Sequence, residues 1–153
     1  MVTTISNFFT DNDVVYINNL PDVLSSKLIL DEYKTTGKVN FEIHLTNRIR
    51  LTLEKNFGLN LSNISTIPMR WIKGDTAIHI DVGSTIFEKT YLVYLNNSPG
   101  ELIIDKSTNY ITENTGYIFN DGLLHKTENT ENVPRLLLGP MNEYANPVGI
   151  IVL

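Results

Sequence analysis

Three side chains carry most of the chemical suggestion in this sequence. His79 and Asp81 lie in Thr76-Ala77-Ile78-His79-Ile80-Asp81-Val82, and His125 lies in Leu123-Leu124-His125-Lys126-Thr127. Alternate side chains of a β-strand share a face, so His79 and Asp81 are expected to project together while Ile78, Ile80 and Val82 project the other way. A neutral imidazole and an ionised carboxylate suit a divalent iron that keeps coordination positions open. If the strand bearing His125 lies beside the first, the three residues form a facial triad of two histidines and one carboxylate. A His-x-Asp pair is also commonly just exposed or hydrogen-bonded, and the pattern alone leaves both roles open. His44, with no spaced carboxylate partner, is expected to be structural or exposed.

Arg135 follows in Val133-Pro134-Arg135-Leu136-Leu137-Leu138. Its planar fork of donors matches a carboxylate in a bidentate pair, and its charge persists at any relevant pH. Inside a barrel, one strand beyond a metal-ligating histidine, it could receive the distal carboxylate of a dicarboxylic cosubstrate whose other end chelates the metal. At a surface strand start it would be an ordinary exposed arginine.

The composition narrows the chemistry. The 153 residues fit one domain with one core. Acidic residues number 17 against 12 basic ones, a formal charge of −5, with no Lys/Arg block to grip a phosphate backbone, so no nucleic-acid partner is expected. The chain has no cysteine, which excludes disulfides, zinc–thiolate sites and iron–sulfur clusters and leaves His, Asp, Glu and amides as metal donors. The N-terminus lacks the basic start and apolar run of a secretory signal, and no apolar stretch approaches the roughly 20 residues of a membrane span. The expectation is a soluble protein, cytoplasmic or otherwise intracellular, with no membrane partner. The oligomeric state is not legible.

Two helices are expected in the first third. One follows Pro21 through Asp22 to Leu30, broken by Thr35-Thr36-Gly37; the other spans Ile43, Leu45, Ile49, Leu51 and Leu53 and stops at Phe57-Gly58. The apolar stripe of the second needs a sheet to lie on. From Thr66 the texture becomes short β-prone runs bounded by turn residues: Ile67 to Trp71, Thr76 to Val82, Thr90 to Leu95, Glu101 to Ile104, Tyr110-Ile111, Gly116 to Phe119, Leu123 to Thr127 and Arg135 to Leu138, then the apolar run Val148 to Leu153. This predicts one α+β, mainly β domain over 1–153: a helical part over about 1–60 packed on one outer face of a two-sheet β-roll over about 64–153. An immunoglobulin-like sandwich fits poorly, because the first third is helical and the Cys–Trp–Cys core pattern is missing.

The stretch Met69-Arg70-Trp71-Ile72-Lys73-Gly74-Asp75-Thr76-Ala77-Ile78-His79-Ile80-Asp81 resembles the iron- and 2-oxoglutarate-dependent oxygenases of the prolyl 4-hydroxylase type, in which an aromatic and a glycine precede His-x-Asp. The resemblance continues in order through Thr90-Tyr91-Leu92-Val93-Tyr94-Leu95-Asn96, Pro99-Gly100-Glu101-Leu102, Gly116-Tyr117-Ile118-Phe119, His125 and Arg135, and upstream through Ile49-Arg50-Leu51-Thr52-Leu53-Glu54. It covers about two thirds of the chain, from near Ile49 to Met141.

The resemblance implies a double-stranded β-helix, or jelly-roll, barrel in which His79, Asp81 and His125 bind Fe(II). It implies that Arg135 and Tyr94 hold the distal carboxylate of 2-oxoglutarate, with Arg70 and Trp71 at the pocket. The activity implied is an O2-consuming dioxygenase that converts 2-oxoglutarate to succinate and carbon dioxide while hydroxylating a prolyl or other peptidyl residue, or a small molecule. The sequence departs from the family pattern at Trp71, where a tyrosine is common, and at Leu137, where a small polar residue is common. Only residues 82–89 join Asp81 to Thr90, little material for a lid. The competing expectation is a catalytically inert jelly-roll, a structural or binding module such as a viral assembly component, with a vestigial metal site.

Overall fold

The computed structural model describes residues 2–32, 37–80, 89–120, 122–141 and 151–152, the last pair by backbone alone. Its strands are β1 (Val2–Ile5), β2 (Lys38–His44), β3 (Thr66–Ile72), β4 (Thr76–His79), β5 (Lys89–Tyr94), β6 (Glu101–Ile104), β7 (Ser107–Tyr110), β8 (Thr115–Asn120), β9 (His125–Glu128), β10 (Arg135–Leu138) and β11 (Ile151–Val152). The helices are α1 (Asp11–Asn18), α2 (Pro21–Glu32) and α3 (Asn47–Phe57). One sheet has the order β1-β8-β5-β10-β3-β2-β11 and the other β4-β9-β6-β7, with antiparallel pairing throughout. From β3 onward the chain steps back and forth between the sheets, so β10 enters between β5 and β3 although far from both in sequence. The result is the mainly antiparallel, jelly-roll-like sandwich with helices that the run of short strands predicts.

The large sheet is buried on both faces, which explains why its central strands read as nearly continuous apolar runs. Toward the helices it presents Val39, Phe41 and Ile43 of β2, Met69 and Trp71 of β3, and Leu136 and Leu138 of β10, packed with Val23 and Leu30 of α2 and Ile49, Leu53 and Phe57 of α3. Toward the small sheet it presents Ile72, Leu92, Tyr94, Phe119 and Leu137, which meet Leu102 and Ile104 of β6. Strand alternation alone makes this division, and it assigns every residue of β3 and β10 to a face.

The N-terminal third is not solely helical. Ile43 belongs to an alternating strand, β2, in which Val39, Phe41 and Ile43 are buried and paired along β3. The helical stripe starts later because Thr46 caps it, accepting a hydrogen bond from Ile49 N at 3.4 Å, and Gly58 ends it in a left-handed conformation at φ 68°. His44 therefore closes a strand rather than opening a helix. α1 and β1 were also not expected: α1 is short, and β1 pairs only with β8 at the sheet edge. β7 begins three residues before the expected Tyr110, because Asp105 (φ 53°) and Lys106 make a tight hairpin with β6. No helix among the described residues is long and apolar enough to cross a membrane.

Candidate active site

β4 and β9 are neighbours in the small sheet, and their register pairs His79 directly with His125. The ring centroids lie 4.2 Å apart. Each imidazole has Nδ1 at a backbone carbonyl, His79 at Ala77 O (2.7 Å) and His125 at Leu123 O (3.0 Å). A carbonyl only accepts, so Nδ1 carries a hydrogen in both rings. Fixing the tautomer through Nδ1 is how metal-binding histidines are commonly held. Phe119 packs edge-on against the His125 ring at 4.9 Å.

Asp81, the third expected ligand, and Val82 lie outside the described residues. Among the described residues no group of three His, Asp or Glu side chains is placed to hold a metal. The two imidazoles are the described members of the expected ligand set.

β4 reaches this arrangement through an irregularity. Thr76 pairs with Thr127 and His79 with His125, so β4 spends one more residue than β9 between the two pairs. Such a bulge re-aims a strand, and it brings Thr76 and His79, three positions apart, onto the same cavity. Ile78 and Ile80, expected on the face opposite the histidine, are exposed, at 60% and 44%.

Behind the histidines lies a cavity of about 60 Å³, room for a few water-sized groups. Arg70, Tyr94, Thr127, Arg135 and Leu137 contribute to its wall. Arg135 is only 1% exposed. Its guanidinium donates to Gly74 O (3.0 Å) and Thr127 Oγ1 (2.9 Å), while Nε has no hydrogen-bond partner among the described residues. Burial pushes the guanidinium pKa down, opposed by the neighbouring Tyr94 and Asp75. A buried cation with donor capacity to spare, beside a cavity, suits a carboxylate ligand.

Residues around Arg135 supply its frame. Gly74 adopts φ +90°, which only glycine enters readily, and this turn presents the carbonyl that Arg135 reaches. Asp75 accepts from Thr130 N (3.0 Å) and Thr130 Oγ1 (2.7 Å), and these bonds hold its carboxyl below the usual carboxylate range. Thr127 Oγ1 accepts from both Arg135 and Thr76 N, so its own hydrogen goes to Thr76 Oγ1, 3.0 Å away. Asn96 ties the start of β10 to the end of β5, accepting from Leu136 N (2.7 Å) and donating to Pro134 O (3.0 Å).

Neither a family model nor a curated protein matches the sequence. Solved structures do match. An oxidoreductase of the 2OG-Fe(II) oxygenase family from Burkholderia pseudomallei aligns over 93% of this chain and 87% of its own, with TM-score 0.59 and 12% identity. The fold is that of the prolyl 4-hydroxylase-like oxygenases. A Pseudomonas putida prolyl-4-hydroxylase aligns over 90% and 89% (TM-score 0.52, 13% identity). The viral collagen prolyl hydroxylase of Paramecium bursaria Chlorella virus-1 aligns over 89% and 86% (TM-score 0.51, 13% identity).

Within this prolyl 4-hydroxylase-like fold, His79, His125, Arg135, Tyr94 and Arg70 border one cavity. Trp71 does not. Alternation along β3 turns it to the helix layer, where its indole Nε1 donates to Val23 O at 2.9 Å. Its indole nitrogen is therefore engaged away from the cavity that Arg135 and Tyr94 border. The residues missed from sequence are Thr76, Gly74, Asn96 and Thr127. Thr127 was within reach, since it lies two positions after His125 and so shares its strand face.

Tyr94 is 1% exposed, and burial pushes its phenol up to about 12 against the opposing pull of Arg135. It is a neutral hydrogen-bond donor at neutral pH. An unfolded tyrosine ionises near 10, so the folded state binds the extra proton, and stability falls as pH rises from about 10 toward 12, on the order of 3 kcal/mol in all. Urea midpoints of Tyr94→Phe should fall less steeply than wild type across that interval. Equal slopes would show that the phenol is not held protonated by burial. Tyr117, also raised by burial, should leave a residual slope.

Proposed function

We propose that this protein is an Fe(II)- and 2-oxoglutarate-dependent dioxygenase built on a double-stranded β-helix, hydroxylating a prolyl or other peptidyl residue. The observation that carries this reading is a buried guanidinium, Arg135, on the same small cavity as two facing imidazoles of fixed tautomer. His79, Asp81 and His125 would hold the iron. Arg135 and Tyr94 would hold the distal carboxylate of 2-oxoglutarate, which fits the unused Nε of one and the protonated phenol of the other. Iron and 2-oxoglutarate, once bound, supply oxidative decarboxylation of the keto acid by O2 coupled to hydroxylation of a substrate C–H bond.

The chain's own part is positioning and exclusion of water. Thr127 and Gly74 orient the guanidinium, Ala77 and Leu123 carbonyls orient the imidazoles, and Leu102 and Leu137 dry the cavity. The prolyl or peptidyl substrate is taken from the names of the matched hydroxylases.

Anaerobic addition of Fe(II) and then 2-oxoglutarate is expected to produce a weak visible charge-transfer band, lost in His79→Ala, and air should then yield succinate. No band at saturating ligand would overturn the reading and leave the inert jelly-roll module. Stable partner binding that survives His79→Ala would then support that module.

A further inference from the structure

Thr76, at the start of β4, is half-buried and lines both the inner cavity and a wider groove of about 440 Å³ outside it. Its side chain forms a cross-strand pair with Thr127 of β9, the two hydroxyl oxygens lying 3.0 Å apart. A hydroxyl has one hydrogen to donate and two lone pairs with which to accept, so the pair can be balanced atom by atom. Thr127 Oγ1 accepts from Thr76 N (3.2 Å) and from Arg135 Nη2 (2.9 Å). Both its lone pairs are then used, and its hydrogen goes to Thr76 Oγ1. Thr76 Oγ1 also accepts from Thr127 N at 2.9 Å, so its own two lone pairs are used as well. What remains is the Thr76 hydroxyl hydrogen, which has no acceptor among the described residues.

The guanidinium of Arg135 sets this direction. It cannot accept, so Thr127 accepts from it and passes its own hydrogen to Thr76. Arg135 and Tyr94, on the same cavity wall, also have hydrogens to offer, the unused Nε of one and the protonated phenol of the other. We propose that Thr76 is a ligand-binding residue of the inner cavity, its hydroxyl locked as a donor that reads a carboxylate oxygen of the bound acid. A ligand group that offers a hydrogen there, such as an amide, finds no lone pair left on Thr76. This deepens the proposed oxygenase function and rests on it for the identity of the acid as 2-oxoglutarate.

The test uses the full chain and glutarate, a dicarboxylate without the keto group, titrated into metal-free protein and followed by NMR. Thr76→Val keeps the shape of the side chain and removes the donor, and it should weaken glutarate binding about tenfold, as expected of one hydrogen bond to a charged group. Thr76→Ser keeps the hydroxyl and should restore binding. Valine also takes an acceptor from Thr127, so Thr76→Val is repeated in Thr127→Val, where the link to Arg135 through the Thr127 hydroxyl is already cut. A further severalfold loss there is the result expected of direct contact. Without any variant, the Thr76 hydroxyl proton of the wild type should emerge from fast exchange with water when glutarate binds.

No further loss in the Thr127→Val background would make Thr76 a support of Arg135 alone and overturn the proposal. So would serine that fails to restore binding, a hydroxyl proton still in fast exchange at saturation, or a wild type that does not bind glutarate. Glutarate binding that depends on Thr76, beside a wild type with no charge-transfer band, sinks the oxygenase reading alone. A band whose dependence on 2-oxoglutarate is unchanged in Thr76→Val sinks Thr76 alone.

Discussion

Arg135→Met should weaken 2-oxoglutarate binding by a hundredfold or more, measured by anaerobic titration calorimetry with Fe(II), yet leave the protein folded. Each hydrogen bond to a charged group contributes roughly 1.5–3 kcal/mol, so losing a bidentate pair costs about two to four powers of ten in affinity. The effect on stability is expected to be small because opposing contributions nearly offset. Removing a desolvated guanidinium in favour of an apolar side chain of similar length relieves its burial cost. Against this, Gly74 O and one lone pair of Thr127 Oγ1 lose their donor, at roughly 1–3 kcal/mol for a buried acceptor left without a partner. A urea unfolding free energy within about 2 kcal/mol of wild type is the expected outcome. A much larger loss, with affinity intact, would make Arg135 a structural residue. Arg135→Lys keeps charge but not the planar fork, and it should recover little of the affinity.

Phe41→Ala should instead unfold the protein readily and leave the chemistry of the cavity aside. Phe41 is 1% exposed and lies on the helix-facing side of β2, within the larger apolar cluster. Truncating a fully buried phenylalanine costs about 3–5 kcal/mol, a large share of the roughly 5–15 kcal/mol that holds a domain together. Denaturant titration should show a midpoint shift of that size. Leu51→Ala, on a helix face 65% exposed, is the control and should change stability by less than about 0.5 kcal/mol.

The two substitutions separate what the large sheet does on its two faces. Its helix-facing side is uniformly apolar and supplies cohesion. Its inner side combines apolar residues with polar ones, among them Arg70, Tyr94 and Arg135 at the cavity. Among the described residues no carboxylate is hydrogen-bonded to the buried Arg135, an arrangement that costs stability.

Much of this was legible in the sequence. Apolar runs bounded by turn residues located Glu101–Ile104 and Arg135–Leu138 to the residue, and Thr66–Ile72 and Lys89–Tyr94 within one residue at either end. These strands are buried on both faces or between strong turn signals, so local composition alone marks them. Lys38–His44 was missed because its final apolar residues run directly into the stripe of the next helix, and only pairing with Thr66–Ile72 shows where one period gives way to the other. Ile151–Val152 likewise acquires a strand identity only through Val39 and Asn40.

By itself the sequence determined the chemistry available: three histidines, no thiol, a His-x-Asp pattern and an arginine ten residues beyond the last histidine, in a chain patterned for antiparallel sheets. Tertiary structure decided which of these groups meet. The two-sheet roll brought His79 against His125 across 46 residues, through a bulge that simple alternation does not anticipate. It placed Arg135 behind them with Thr127 and Gly74 as its partners, and it turned Trp71 to the other side of the sheet. Local propensity acts over a few residues, whereas register and sheet order are set by burial summed over the whole core. A site assembled from distant strands is therefore written in the sequence as parts and in the fold as a place.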